Sequence, residues 1–374
     1  VSPHPHPPSA GGPAPRWAIS HDFAFDFGGA ERVTALLASD VLPDAPVLLL
    51  GGDPEVIERM GIADRVRFML PRSLVTAGSY RTTSLALSPR LTWRRAWPGP
   101  LLASSYAMAH WIRARGETVV YCHSPLRHAW APDDYLASAS GLTAVGFRAA
   151  VGPLRWADRR AAGRAGRYVA TSHNVRDRIA GAYGRHDVPI VPPPTDTERF
   201  APGAERRRAG RFLLAGRLVE PYKRVGLALD AFAARPDLEL VVAGDGRDAA
   251  ALRRRAPGNA TFVGHVDEVE LARLMRESTA LLFPSRDDFG MVPVEAMATG
   301  TPVVAFRGGG AVDTVVDGVT GTFFDRPVVE DVVRALDVAA ATTWDHDAIV
   351  AHAERFGAAR FVDAMRTLLG LGPA

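Results

Sequence analysis

"FPSRDDFGMVPVEAMATGTPVVAF", residues Phe283 to Phe306, leaves an apolar strand-like segment and passes Asp287 and Asp288 to a turn at Gly290. It then runs through an apolar helical pattern containing Glu295 to a Thr-Pro strand start. Such a strand–turn–helix–strand pattern is one unit of an α/β fold with a mainly parallel sheet. Acids at a strand-to-helix junction hold a sugar, a ribose, a metal or nothing at all. The rest of the chain has to supply their partner.

Outward from this stretch the same alternation continues. The second half reads "RFLLAGR", "LELVVAGDG", "ATFVGH", "ALLFPS", "TPVVAF" and "GTFF", each followed by a helix-like stretch. In the first half the strands read Trp17 to Ser20, Pro46 to Gly52, Val119 to Ser124 and Tyr168 to His173. Between the halves, "VPIVPPPTDTERFAPG" contains three consecutive prolines, which forbid helix and stiffen the backbone. The expected organisation is a Pro-rich tail over 1–15, a first Rossmann-like domain over 16–190 and a hinge over 191–203. A second Rossmann-like domain follows over 204–355, and a terminal helix over 356–374 packs back on the first domain.

A chain of 374 residues is too long for one ordinary core and suits two domains, hence a cleft. No apolar run approaches the ~18 to 20 residues of a spanning helix. The start, rich in Pro, His and Gly, reads as a disordered tail without the apolar centre of a secretory signal, and the expected location is the cytoplasm. The single cysteine, Cys122, excludes an intrachain disulfide and a Cys-based zinc cluster. Net charge is +3, with arginine-rich clusters at Arg90 to Trp97, Arg155 to Arg167 and Glu205 to Arg211. The plain reading is solvated helix faces. The sharper one is that the first two clusters, interleaved with Trp93, Trp97 and Trp156, touch an anionic membrane surface at its inner face. No recognition motif accompanies the charge, so nucleic acid is not an expected partner.

Ligands of open parallel sheets bind at the carboxyl ends of strands, which directs attention to the loops there. After the first strand, "HDFAFDFGGAERV" places Gly28 and Gly29 before a helix, where a phosphate or sugar can approach the backbone, or where the chain simply turns tightly. "AGRLVEPYKR" sets Arg217 and Lys223 around a proline turn, a pairing suited to a diphosphate. "VVAGDG" brings Gly244 to the next strand end without full dinucleotide spacing. His123 follows the "VVYC" strand, and Asp133 and Asp134 read as a helix start rather than metal ligands.

Taken together, "HDF…GGAERV", "YCHSPLRHAW", "VATSHNVRDRIAGAYGR", "VPPPTDTERF", "AGRLVEPYKRVGLALDAF", "VVAGDG", the opening stretch and "GGGAVDTVVDGVTGTFF" resemble, in order, the segments of the retaining glycosyltransferases of family four. That family has the GT-B fold, two Rossmann-like parallel-sheet domains facing each other across a cleft. The nearest likeness is to bacterial mannosyltransferase-like members. The resemblance implies a metal-independent, retaining hexosyltransferase with no cofactor beyond its co-substrate, a nucleotide-diphosphate sugar, with GDP-mannose expected first and UDP-sugars next.

The same resemblance assigns roles. Asp287 and Glu295 match the family's E-x7-E motif, Asp287 facing the donor sugar and Glu295 the ribose, with Asp standing where the family has Glu. Arg217 and Lys223 match the diphosphate-holding pair, completed by the backbone of Phe289, Gly290, Met291 and Val292. His123 matches the cleft histidine beside the transferred sugar. Gly29 and Gly244 line the donor, and Val266 and Asp267, or Glu268, stand where a base is read. Asp22 either binds an acceptor hydroxyl with Gly28 and Gly29 or caps a nearby helix. Two rival classes share this architecture: a nucleotide-sugar 2-epimerase and a non-catalytic nucleotide-sugar binder.

Overall fold

The computed structural model describes residues 16–88, 90–91, 96–132 and 141–372. The tail over 1–15, Trp93, Arg94 and Arg95 of the first basic cluster, and Asp133 and Asp134 lie outside the described residues. Two six-stranded parallel sheets dominate. The first comprises β1 (Ala18–Ala24), β2 (Val47–Gly52), β3 (Val66–Phe68), β4 (Leu101–Ser105), β5 (Thr118–Cys122) and β6 (Arg167–Ala170), in the order β3-β2-β1-β4-β5-β6. The second comprises β7 (Arg211–Ala215), β8 (Glu239–Ala243), β9 (Ala260–Gly264), β10 (Ala280–Phe283), β11 (Val303–Phe306) and β12 (Gly321–Phe324), in the order β12-β11-β10-β7-β8-β9.

Read from its own first strand, each sheet has the same doubly wound order, and together they form the GT-B fold. The winding reverses between β1 and β4 in one sheet and between β7 and β10 in the other. Loops leaving neighbouring strands diverge at those two points and open a crevice. Every residue of β1, β4, β5 and β10 is buried, because helices cover both faces of a parallel sheet. All six second-half strands coincide with apolar segments picked out above. In the first half, β3 and β4 were not anticipated. β3 is three residues long with Arg67 at its centre, and β4 has two leucines followed by Ala-Ser-Ser, so neither offers the apolar run that marks the others.

The terminal helix Ala358–Leu368 returns to the first sheet. Phe361, Val362 and Met365 join the core of Ile19, Leu37, Leu49 and Tyr121, and the Arg167 guanidinium donates to the Leu368 carbonyl at 2.6 Å. The chain thereby crosses between the domains twice.

Under the long helix Gly141–Ala162, Asp158 is fully buried. Its oxygens accept from the indole N–H groups of Trp111 (2.8 Å) and Trp130 (2.7 Å) and from the Tyr183 hydroxyl (2.7 Å), with His110 Nε2 3.0 Å away. Burial pushes this carboxyl up, but His110 and the two indoles outweigh it and hold it below the ordinary carboxylate range. A depressed native pKa stabilises the fold above the unfolded value, near pH 4, and that stabilisation is lost as pH falls through the native value. Asp158→Ala is expected to destabilise the protein by about 3 to 5 kcal/mol in chemical denaturation at neutral pH, and to flatten the stability loss below about pH 4. An unchanged acid limb in the variant would show that other carboxylates control it.

Candidate active site

The junction quoted at the outset is shaped by glycine. Gly290 has φ +86° and lies so close to the Phe283 ring that an added Cβ would stand 3.1 Å from it. The helix Met291–Ala298 starts there, and its first N–H groups have no partner within the helix. Beneath the turn, Gly309 and Gly310 press against it so tightly that a Cβ would come within 2.3 Å of the Asp287 carbonyl and 2.2 Å of Phe289. The Gly310 N–H donates to that Asp287 carbonyl at 2.8 Å. Gly309 and Gly310 are the bed on which the acidic turn lies.

Asp287 and Lys223, placed by different loops, meet. Lys223 Nζ donates to Asp287 Oδ2 at 2.6 Å and lies over the Tyr222 ring at 5.0 Å. Burial opposes the ammonium charge, but Asp287 and Tyr222 overcome it and hold the pKa above the usual lysine value. The other Asp287 oxygen, Oδ1, is buried without a hydrogen-bond partner among the described residues. A buried, unpaired carboxylate oxygen is costly and marks a place where a donor belongs. Lys223 is the only lysine among the 44 basic residues of the chain. Arg217 is exposed after β7, and its guanidinium has no polar partner among the described residues.

Glu295 is buried, and burial lifts its carboxyl above the ordinary range while Arg32 partly offsets the rise. Arg32, from the first helix Gly29–Leu36, donates to Glu295 at 3.0 Å and also pairs with Glu268 at 2.6 Å. Glu268 is held by Arg59 and Arg199 as well. Its carboxylate is committed to three guanidinium groups and is not free to read a base. Asp267 keeps one oxygen on the Glu270 N–H (2.8 Å) as the cap of the helix Glu268–Glu277, with its side chain exposed, and Val266 is half-buried against the second core.

The remaining loop residues have partners of their own. Asp22 is fully buried and accepts the N–H groups of Tyr106, Ala107, Met108 and Ala109 at 2.5 to 2.8 Å, so both oxygens hold the loop after β4 and none is available to an acceptor. Gly29 packs against the second domain: a Cβ there would meet Met291 Sδ at 2.6 Å. Gly28 precedes the first helix, and its N–H donates to Glu31 at 3.0 Å. Gly244, at φ +136°, is needed at the strand end because a Cβ would lie 1.9 Å from the Gly216 carbonyl. Val292 is half-buried at the helix start.

His123 follows β5, half-buried, with Nε2 2.8 Å from Ser104 Oγ. Burial and then the neighbouring His21 lower its pKa to about 3, so the ring is neutral at physiological pH. Asp288 received no role from the sequence. It accepts from Arg127 and Arg178, both in the first domain, and its carbonyl accepts from the Ser172 hydroxyl at 2.5 Å. Burial raises its carboxyl, but the two guanidinium groups outweigh this and hold it below the ordinary range. The signal available beforehand was only that two acids stand side by side where one suffices for the sugar.

Residues 196–350 match the family model for glycosyl transferases group 1, a stretch that contains the whole second sheet. The match is confined to this segment, which makes up under half of the chain. Curated relatives include a glycogen synthase of Mycobacterium tuberculosis, 33% identical over 170 residues, covering 41% of this chain and 40% of that protein. A D-inositol 3-phosphate glycosyltransferase of Mycobacterium bovis is 33% identical over 172 residues, covering 40% and 35%. The chain thus spans well under half the length of these relatives. Among solved structures, Anabaena Alr3699/HepE in complex with UDP superposes with a TM-score of 0.71 at 19% identity, covering 95% of this chain and 99% of that one. Sucrose-phosphate synthase from Thermosynechococcus elongatus superposes with 0.70 at 17% identity, covering 94% and 98%. These likenesses establish the fold.

The clamp at Asp288 is testable by a double-mutant cycle. Arg178→Ala and Asp288→Asn are expected to be non-additive in denaturant unfolding by about 1 to 3 kcal/mol, while Arg176→Ala, on the same helix but paired with Asp177, adds independently to Asp288→Asn. Full additivity of the first pair would remove the clamp.

Proposed function

We propose that this protein is a retaining, metal-independent glycosyltransferase that moves a hexose from a nucleotide-diphosphate sugar to an acceptor hydroxyl. The observation that carries the reading is the meeting of Lys223 with Asp287, whose second oxygen is buried and unpartnered, at the N-terminus of the helix that carries Glu295. A diphosphate leaving group gains charge as the sugar C1–O bond breaks. Lys223, Arg217 and the first-turn N–H groups of Met291 and Val292 stabilise that charge most when it is fully developed. Asp287 Oδ1 accepts from a sugar hydroxyl, and Glu295 accepts from the ribose once Arg32 shares or yields it. The acceptor oxygen bonds to C1, and its proton leaves with the phosphate oxygen.

The base is read from less. With Glu268 taken by arginines, only Asp267 remains to favour guanine, so GDP-mannose and UDP-sugars stand together in a first panel. UDP-glucose belongs in it because Anabaena HepE, of the same fold, has been solved with that compound. Incubation with the panel and mass spectrometry of products tests the class: nucleoside diphosphate released with acceptor supports transfer, an isomerised nucleotide sugar supports epimerisation, and neither supports a binder. Arg217→Ala is expected to lower kcat by about 10² to 10³ and Glu295→Gln to weaken donor binding by about 1.5 to 3 kcal/mol, with activity persisting in EDTA. An effect confined to KM for Arg217→Ala would contradict its role.

The acceptor side of the proposal includes a peripheral contact with an anionic membrane. No described helix is long and apolar enough to cross one. The helix Gly141–Ala162 instead presents Trp156 (68% exposed) and Val145 (61% exposed) beside exposed Arg148, Arg159 and Arg160, and its one acid, Asp158, is buried inward. An apolar anchor among basic residues fits an interface of anionic lipid. Vesicles containing phosphatidylserine are expected to sediment the wild type at low salt and to lose it in the Trp156→Ala, Arg160→Ala double variant. Wild-type protein left in the supernatant would return those arginines to an ordinary solvated face.

A further inference from the structure

Four buried side chains connect the two glycine-rich and histidine-bearing loops of the first domain. From His123 Nε2 the contacts run to Ser104 Oγ (2.8 Å), from Ser104 Oγ to Thr34 Oγ1 (2.8 Å), and from Thr34 Oγ1 to His21 Nδ1 (2.9 Å). His21 Nε2 then faces Glu31 Oε1 at 3.4 Å, and Glu31 Oε2 accepts the Gly28 N–H. His21, Thr34 and Ser104 are fully buried, so water does not complete their hydrogen bonds from outside.

The direction of this chain follows from proton counting. A hydroxyl has one proton to give. Thr34 donates its own to the Ala30 carbonyl, 2.9 Å away one helical turn back. At its contact with Ser104, Thr34 is therefore the acceptor and Ser104 the donor. With that proton spent, Ser104 can only accept at its contact with His123. The hydrogen of that ring must then be on Nε2. By the same count His21 carries a hydrogen on Nδ1, where it points at Thr34 Oγ1 and at the Ser104 carbonyl (3.2 Å). The Ser104 carbonyl only accepts, so it fixes the Nδ1 hydrogen independently, and a further proton between His21 Nε2 and Glu31 Oε1 completes that end.

We propose that Ser104, Thr34 and His21 are positioning residues that lock His123 in the Nε2–H tautomer, so that Nδ1, which has no polar partner among the described residues, is presented to the substrate as an acceptor. The inference rests on the reading of the cleft as a nucleotide-sugar site. A neutral ring with a bare Nδ1 accepts a hydrogen bond from a sugar hydroxyl and places electron density beside the positive charge that develops as C1 loses its leaving group. The opposite tautomer places an N–H there and opposes that charge.

The tautomer is observable without any turnover. In the full chain labelled with 15N-histidine, long-range nitrogen–proton correlation spectra show each ring nitrogen as pyrrole-like when protonated and pyridine-like when bare, and His123→Gln identifies the signals of His123. The expected wild-type result is a pyrrole-like Nε2 and a pyridine-like Nδ1. Thr34→Val deletes the hydroxyl that orders Ser104 and is expected to give a mixture of tautomers. Thr34→Ser keeps the hydroxyl and is expected to restore one. Under the transfer reading, kcat follows the tautomer, falling roughly tenfold in Thr34→Val with little change in donor KM and recovering in Thr34→Ser. A wild-type His123 protonated on Nδ1 overturns the proposal, as does a single unchanged tautomer in Thr34→Val. A correct tautomer pattern in a protein that transfers no sugar leaves the relay standing and rejects the glycosyltransferase reading instead.

Discussion

The cleft depends on one buried carboxylate being gripped from across it. Asp288 belongs to the second domain, yet its oxygens are filled by Arg127 and Arg178 of the first, and its carbonyl by Ser172. Removing a carboxylate from water is expensive unless its lone pairs are satisfied, so the pairing holds only while both domains stand in register. The neighbouring residue, Asp287, is thereby fixed in the peptide plane next door. One acid bridges the domains, the adjacent acid pairs with Lys223, and Gly309 and Gly310 pack directly beneath their turn.

A second bridge has a different character. Arg32 is shared between Glu295 and Glu268, and Glu268 is already held by Arg59 and Arg199. With Asp196 on Arg199, three guanidinium groups face three carboxylates, and Arg32 keeps Glu268 as a partner if Glu295 is drawn away. A guanidinium with a fork of donors is suited to changing partners in this way, whereas an ammonium is a point charge. The Asp288 contact resists opening, and the Arg32 contact permits exchange.

Much of this was legible in the sequence, and what was not has physical reasons. Most strands of the second sheet announce themselves as apolar runs because they are buried on both faces; the edge strand β9 is apolar although Thr261 and Val263 are exposed. β4 does not, although it is equally buried, because Ala103, Ser104 and Ser105 are small residues chosen for what packs on them: Ser104 supports His123 and Thr34, and Ser105 contacts His110 at 3.0 Å. Asp22 was left open between an acceptor and a cap because a carboxylate in a strand-end loop has the same one-letter signature in both roles; the structure shows it capping the four N–H groups of Tyr106 to Ala109. Gly244 has the same ambiguity, since close approach by a neighbouring carbonyl and by a phosphate both demand a missing Cβ. Asp288 was invisible as a clamp because its partners lie more than a hundred residues away in the chain.

The single lysine gives the site its sharpest contrast with the rest of the molecule. Every other basic position is arginine, including those that pair with Asp288, Glu268 and Glu277, where planar two-pronged donation is useful. At residue 223 the chain keeps an ammonium, packed against Tyr222 and set on one oxygen of Asp287. An arginine there would tend to engage both carboxylate oxygens and satisfy Oδ1, closing the one acceptor that the buried turn leaves open. Lysine neutralises Asp287 through a single oxygen and turns its remaining donors elsewhere. The unpaired Oδ1 and the solitary lysine are therefore two sides of one arrangement, in which charge is balanced while one carboxylate oxygen keeps an unused hydrogen-bonding valence.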